Sequence, residues 1–325
     1  MGNWLGMLKV NPIEELIKVE EPALSYYVRR DLLHEKVGEV TSLWQLHEPV
    51  KLVEKQQEDG CWRYVGSGAK KYPYFNHDLV ETFRNLRTLV HMYGFNRKSS
   101  AIVSAAEYIF SNQHPEGDIR GILGTQYMPY YMGVIFELLI LAGYQNDPRI
   151  ERGLQWLLAV QQDDGGWIIP SQMVPAREKT ADFWQQEPLP PDRSLPHAHL
   201  ATGMVLRAFT AHPEYRQHEC VIKAAASLKQ RFFQVDKYND RKSADYWVKF
   251  QYPFWWQNLL SALDTLGKLG YSKEDDDIQK GLDWFIRNQE QDGLWPTGYQ
   301  SGKGAVRNRL WVGLAVCRVL KHYFS

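Results

Sequence analysis

Apolar side chains recur at i, i+3, i+4 and i+7 along most of the chain, the period of an α-helix, and no run is rich in strand-forming residues. Two kinds of helical segment alternate. One is amphipathic: residues 147–158 and 276–286 align with each other, each apolar on one face with Asp near its start, where a side-chain oxygen caps the first turn. The other is apolar nearly all round, over Leu79–Tyr93, Tyr131–Ala142, His199–Ala211, Trp255–Leu269 and Arg309–Tyr323. Such segments must be buried on every side, so the pattern predicts an inner layer flanked by an outer one. Val221–Phe233 reads as a further outer helix. Ile13–Val19 and Pro22–Leu33 precede the series as a helical pair, the second opened by a proline suited to a first helical position.

A short motif separates the two kinds of segment. It is Gln-x-x-x-Gly-x-Trp at Gln56, Gly60 and Trp62, at Gln161, Gly165 and Trp167, and at Gln289, Gly293 and Trp295; a fourth copy keeps Gln113 and Gly117 but has Ile119 in place of Trp. A Gln amide bonds backbone groups at a helix end, an indole covers them, and the glycine is expected at the C′ position. The motif therefore reads as a structural clasp. About six helical hairpins in inner and outer rings give an all-α fold, an α/α toroid. The expected organisation is a single domain over 1–325, with residues 1–46 as an N-terminal helical pair and 47–325 as the repeats. The proline-rich stretch from Glu187 to Leu195 is a loop inside it.

These motifs resemble the QW repeats of the squalene-hopene cyclase, terpene cyclase and protein prenyltransferase β-subunit superfamily, from about Pro49 onwards. The resemblance implies the toroid and a protein that acts on, or binds, an isoprenoid or related apolar substrate in a central aromatic-lined cavity, leaning to a class II cyclase-like isomerase or lyase. Class II cyclases use the middle Asp of a D-x-D-D motif as the acid. The near match here, Glu274 to Asp277, starts an outer helix in register with Asp147 and reads as a cap. The prenyltransferases hold a zinc with Asp, Cys and His; Cys317 and His322 lack the matching Asp, so no metal and no cofactor are expected. A full squalene cyclase uses two such domains, which leaves room for a partner subunit to close the cavity.

Composition narrows the classes. Lys plus Arg and Asp plus Glu are both 38, so nothing global draws the chain to nucleic acid. Three scattered cysteines exclude a disulfide framework and fit a reducing compartment. The absence of a long apolar run or a signal-like start makes the expected location cytoplasmic, with no integral membrane segment. The twelve Trp and eighteen Tyr exceed what core filling needs and point to an apolar cavity or a sugar-stacking surface.

Candidate chemistry lies where loops enter the inner helices. At the first junction Asp78 is the candidate acid, with His77 tuning it and Glu81 one turn on. Candidate substrate-binding residues are Tyr127, Tyr130 and Tyr131 at the second junction and His197 and His199 at the third. The last two junctions add Trp247, Lys249, Trp255 and Trp256, then Arg307 and Arg309. His197 and His199 have i, i+2 spacing without a third ligand, which is not a diagnostic metal pattern. Arg307 and Arg309, with Lys303 ahead of them, suit an anion at a helix start. Trp255 and Trp256, read as helical neighbours, point to different sides. The same residues also suit a non-catalytic isoprenoid- or lipid-binding toroid, or a carbohydrate-active toroid enzyme, a glycosidase or polysaccharide lyase using two carboxylates or a His/Tyr/Arg set.

Overall fold

The computed structural model describes residues 3–238, 241–298 and 302–325, and among them no β-strand occurs. In chain order the helices are α1 (Pro12–Lys18), α2 (Pro22–Tyr27), α3 (His47–Val53), the single turn α4 (Gly68–Lys71), α5 (His77–Tyr93), α6 (Ser100–Ser111), α7 (Pro129–Leu139), α8 (Pro148–Ala159), the single turn α9 (Pro170–Met173), α10 (His199–Ala211), α11 (Glu219–Lys229), α12 (Leu259–Lys268), α13 (Asp276–Arg287) and α14 (Lys303–Phe324). The described residues are thus all-α. They fall into two compact units. One holds residues 3–39, 225–236 and 241–325; the other holds 40–224 with the short stretch after Asp236.

In the second unit α5, α7 and α10 form the inner layer. Residues 132–140 of α7 and its extension, and 199–210 of α10, are buried almost without interruption. Gly133 permits their close approach, because a Cβ there would stand 2.5 Å from the Cα of Val205. In the first unit α14 is the central helix, packed by α1, α2 and α12.

The Gln motifs join successive outer helices. Each Gln Nε2 donates to its own turn, at the carbonyls of Gly60, Gly117, Gly165 and Gly293 (2.6–2.8 Å). Each also donates to the chain at the head of another outer segment, at Ala101, Arg149, Cys220 and Val10 (2.8–2.9 Å). The Trp side chains tie back to the helix before them, Nε1 donating to Leu52, Leu157 and Phe285, 2.7 Å in each case.

The glycines are not at C′ as expected. Helices α3, α6, α8 and α13 end at Val53, Ser111, Ala159 and Arg287, and each glycine follows at the end of a wound turn. Gly60 is still obligatory: its φ is +87°, and a Cβ would lie 2.2 Å from the Ser104 carbonyl oxygen. The expected Asp caps are present. Asp147 Oδ1 accepts from the N–H of Arg149, and Asp275, one residue before the first helical Asp, accepts from Asp277 and Ile278.

Two inner segments differ from their sequence reading. Helix α12 begins at Leu259, not Trp255, because Asn258 and Ser261 form a capping box (3.0 Å each way). Trp255 and Trp256 therefore lie in an irregular segment. Helix α14 begins at Lys303, six residues before the expected Arg309, after Gly302 with φ +78°. Two helices also end in wider π turns, Val28–Leu32 after α2 and Ile140–Tyr144 after α7.

Candidate functional site

The first junction is held by Asn76, whose Oδ1 accepts from the N–H of Leu79 (2.9 Å) and so starts α5. Asp78, in the first turn, has both oxygens engaged. Arg63 Nη1 donates to Oδ2 (2.6 Å) and the N–H of Tyr64 donates to Oδ1 (2.8 Å), fastening the segment after Trp62 onto α5. The carboxyl is three-quarters buried. His77 stacks on Tyr64 (5.0 Å, 22°), with Nε2 3.0 Å from the carbonyl of Tyr72. Tyr72, Tyr74 and Phe75 continue this aromatic group, and Trp184 meets Phe75 edge-on. Glu81 pairs with Arg84 one turn on (3.1 Å).

At the second junction Tyr131 meets Phe83 of α5 edge-to-face (5.7 Å), and Tyr130 lies against Tyr131 (4.9 Å). The structure thus brings the α5 and α7 aromatics together. Tyr127 instead packs on Trp156 of the outer helix α8 (5.0 Å), and burial pushes its hydroxyl well above the ordinary tyrosine range. At the third junction His199 is buried as the first residue of α10. His197 is tied to the Gln161 turn, its N–H donating to Asp164 Oδ2 (2.9 Å) with Nδ1 3.0 Å from the same oxygen. Burial opposes the charge on Asp164, but the N–H and ring of His197 hold its carboxyl below the usual range.

Sequence reading missed the charges within the inner layer. Glu137 of α7 and Arg207 of α10 form an ion pair (2.6 Å) with both side chains at least nine-tenths buried. Arg87 of α5 is close enough to be affected: burial, then repulsion from Arg207, pulls its guanidinium down to about 10, while Tyr131 and Glu137 act the other way. The signal was present as a lone charge inside each apolar run, as in Phe136-Glu137-Leu138 and Leu206-Arg207-Ala208.

The candidates of the first unit are absorbed differently. Trp247 is a core residue, 1% exposed, packed on Phe232 with Nε1 donating to the carbonyl of Gln234 (3.0 Å). Lys249 lies over the Tyr246 ring (4.2 Å), and Trp255 lies against Trp256 (4.8 Å). Arg307 donates to Glu21 (3.0 Å), which also receives Nε1 of Trp311 (2.7 Å). Arg309 is clamped by Asp292 (2.5 and 2.8 Å) and Glu290, and its Nε donates to the carbonyl of Trp295 (3.2 Å). Neither arginine stands at a helix start, as was expected, and the side chain of Lys303 lies outside the described residues.

Two acidic groups fill structural roles. Lys229 Nζ bridges Asp275 and Asp277 (3.0 Å each). Burial raises the cost of charge on Asp275, yet Lys229 and the N–H of Ile278 hold its carboxyl below the usual range. Among the described residues His114, Glu116 and Asp118 place ligand-type atoms within 4.8 Å of one another. Arg120 bonds both carboxylates there (2.7 and 2.9 Å), so a cation already occupies the charge of the cluster. No described helix is long and apolar enough to cross a membrane.

Residues 78–172 match the squalene-hopene cyclase C-terminal domain. A probable squalene–hopene cyclase of Sinorhizobium fredii is 27% identical over 124 residues, which is 34% of this chain and 19% of that protein. A squalene–hopene cyclase of Bradyrhizobium diazoefficiens is 25% identical over the same shares. The chain thus spans about a fifth of the length of the curated relatives it matches. Among solved structures, the type II terpene cyclase MstE from Scytonema, at 12% identity, covers 99% of this chain and 87% of its own with a TM-score of 0.46. The chain resembles the squalene-hopene cyclase and terpene cyclase superfamily, and the family match at residues 78–172 lies in the second unit.

Proposed function

On the premise that residues 78–172 are squalene-hopene-cyclase-like, we propose that this protein binds an isoprenoid or a related apolar ligand against the inner helices of its second unit. The observation that carries the reading is the extent of that match. It begins at Asp78 in the first turn of α5 and runs through α7, α8 and the Gln161 turn into α9. Along it lie the aromatics of the inner layer, Phe83, Tyr130 and Tyr131, which suit an unsaturated chain or a cation formed from one. His199 at the head of α10 adds a polar group to the same layer.

For chemistry, Asp78 is the proposed acid, His77 the group beside it and Glu81 the second carboxylate. Protonation of an alkene by Asp78 requires that it carry a proton, and therefore that Arg63 first let go of Oδ2. Binding does not require that step. A ligand held without turnover is accordingly the simpler form of the proposal, and cyclisation the further one.

The test is a thermal-shift series with isoprenyl diphosphates, neutral polyprenes and oligosaccharides, since a ligand selective for the native state raises the midpoint with concentration. A rise with one isoprenoid class, reduced by Tyr131→Ala, supports the reading. A rise with oligosaccharides alone overturns it. If product appears, Asp78→Asn abolishes it; unchanged turnover in that variant removes Asp78 from the chemistry.

A further inference from the structure

The first unit contains a charge cluster that the proposed function does not use. Asp31, on the π turn Val28–Leu32, faces three cations. Arg30 Nε donates to Oδ1 (2.6 Å) and its Nη2 to Oδ2 (3.2 Å). Arg318 of α14 donates to Oδ2 through Nε (2.8 Å) and Nη2 (2.5 Å). Lys321, one turn further along α14, donates to the Asp31 carbonyl and lies 2.7 Å from His34 Nε2.

Both guanidiniums also converge on one ring, Arg30 at 4.7 Å and Arg318 at 5.0 Å from the centre of Tyr27. Arg30, Arg318 and Lys321 stand against the one carboxylate of Asp31, 3 − 1 = +2. The N-terminal pair is joined to α14 by helix packing, by the Asp31–Arg318 contact and by Lys321 on the Asp31 carbonyl. Arg30 and Lys321 bring two further positive charges to that joint.

The backbone is also adapted here. The π turn, a form enriched at functional sites, sets Arg30 and Asp31 towards α14, and His34 holds φ at +56°, an uncommon value for a residue with a side chain. The cluster is partly exposed: the Arg30 side chain is 44% exposed and that of Arg318 is 26% exposed. Donors remain available. A guanidinium has five N–H groups; Arg30 spends two on Asp31, and Arg318 spends two there and a third on Tyr252 (3.3 Å). Burial lowers the pKa of Lys321, against the pull of the nearby Asp31.

We propose that Arg30, Arg318 and Lys321 form a binding site for a phosphate-class dianion, with Asp31 holding the two guanidinium forks in place until the ligand arrives. Forked guanidiniums match tetrahedral oxyanions, and a dianion cancels the excess of two. The source is either free inorganic phosphate or an organic phosphate ester whose ring lies on Tyr26, which flanks Tyr27 (5.3 Å) and has Arg30 5.6 Å from its centre. The site lies outside residues 78–172 and does not rest on the isoprenoid reading.

The experiment is calorimetric titration of the full chain with inorganic phosphate and with phenyl phosphate, ionic strength held constant with chloride. Saturable binding is expected in the parent protein. It weakens at least tenfold in both Arg30→Gln and Lys321→Gln, while their unfolding midpoints without phosphate stay close to that of the parent. Tighter binding of phenyl phosphate supports an ester as the source; equal binding supports free phosphate. No saturable binding of either probe, or equal affinity in parent and variants, overturns the proposal. The two substitutions are on different elements, so a folding defect in one leaves the other as the test.

Discussion

Two groups of charges in this molecule are built in opposite ways. In the second unit Glu137 and Arg207 are matched, buried and joined across two packed inner helices. In the first unit Arg30 and Arg318 share the Asp31 carboxylate, Lys321 bonds the Asp31 carbonyl, and the two guanidiniums stand partly open to solvent. A buried pair gains little over apolar packing, but loss of either partner leaves a charge without compensation. A half-open cluster costs less to ionise and keeps donors for a ligand. Charge placement thus separates a joint from a binding surface, where a count of ionisable residues does not.

The largest effect should come from breaking the buried joint. Glu137→Ala removes the carboxylate paired with Arg207, near Arg87, and is expected to cost about 3–5 kcal/mol, read from the urea midpoint. A loss below about 1 kcal/mol would mean that water reaches the pair and would dissolve the contrast. Next is the Gln clasp. Gln161→Leu leaves the carbonyls of Gly165 and Cys220 without their donor and is expected to cost about 2–3 kcal/mol. Native-state hydrogen exchange should rise first at the head of α11.

A smaller effect is expected from acid. Hydrogen bonds from Arg149 and from Arg309 hold Asp147 and Asp292 below the usual carboxylate range. Their folded values lie under the unfolded value of about 3.9, so their contribution is complete above it and is lost as pH falls through the folded values. Urea midpoints should be flat from neutrality to about pH 5 and fall below about pH 4, and Asp147→Asn should flatten part of that fall. The smallest effect is at the cluster of the first unit, where Arg30→Gln should change stability by less than about 1 kcal/mol because the Asp31–Arg318 contact remains. A large loss there would recast Arg30 as part of the joint.

Much of the fold was legible because helical period and capping are local. Helix α10 runs over His199–Ala211, the segment read from the sequence, and α5 ends at Tyr93 as expected. The Gln–Gly bond was legible for the same reason. Its second bond was not, since nothing near Gln289 in sequence indicates Val10. The start of α12 was misplaced because the aromatic run from Tyr252 to Trp256 mimics an apolar helix, while the Asn258–Ser261 box that sets the boundary lies inside it. The α14 boundary was misplaced because glycines at 302 and 304 read as loop.

At the site, sequence located the junctions but not the partners. Arg63 and Asp78 are fifteen residues apart, and Glu137 and Arg207 are further apart still, so their pairing is a product of packing. A cap within Glu274–Asp277 was legible from its register with Asp147, but the capping residue is Asp275, one before the Asp276 that opens the segment aligned with residues 147–158. The π turn that directs Asp31 was not, because a widened turn has no distinct apolar period.

The central claim, that the second unit holds an isoprenoid-class ligand, is tested most directly by native mass spectrometry of the full chain incubated with geranylgeraniol. The account predicts one bound molecule per chain, released unchanged on unfolding and bound more weakly by Tyr131→Ala. No bound species at saturating ligand, or binding equal in the Tyr131 variant and in a surface control such as Val65→Ala, would contradict it.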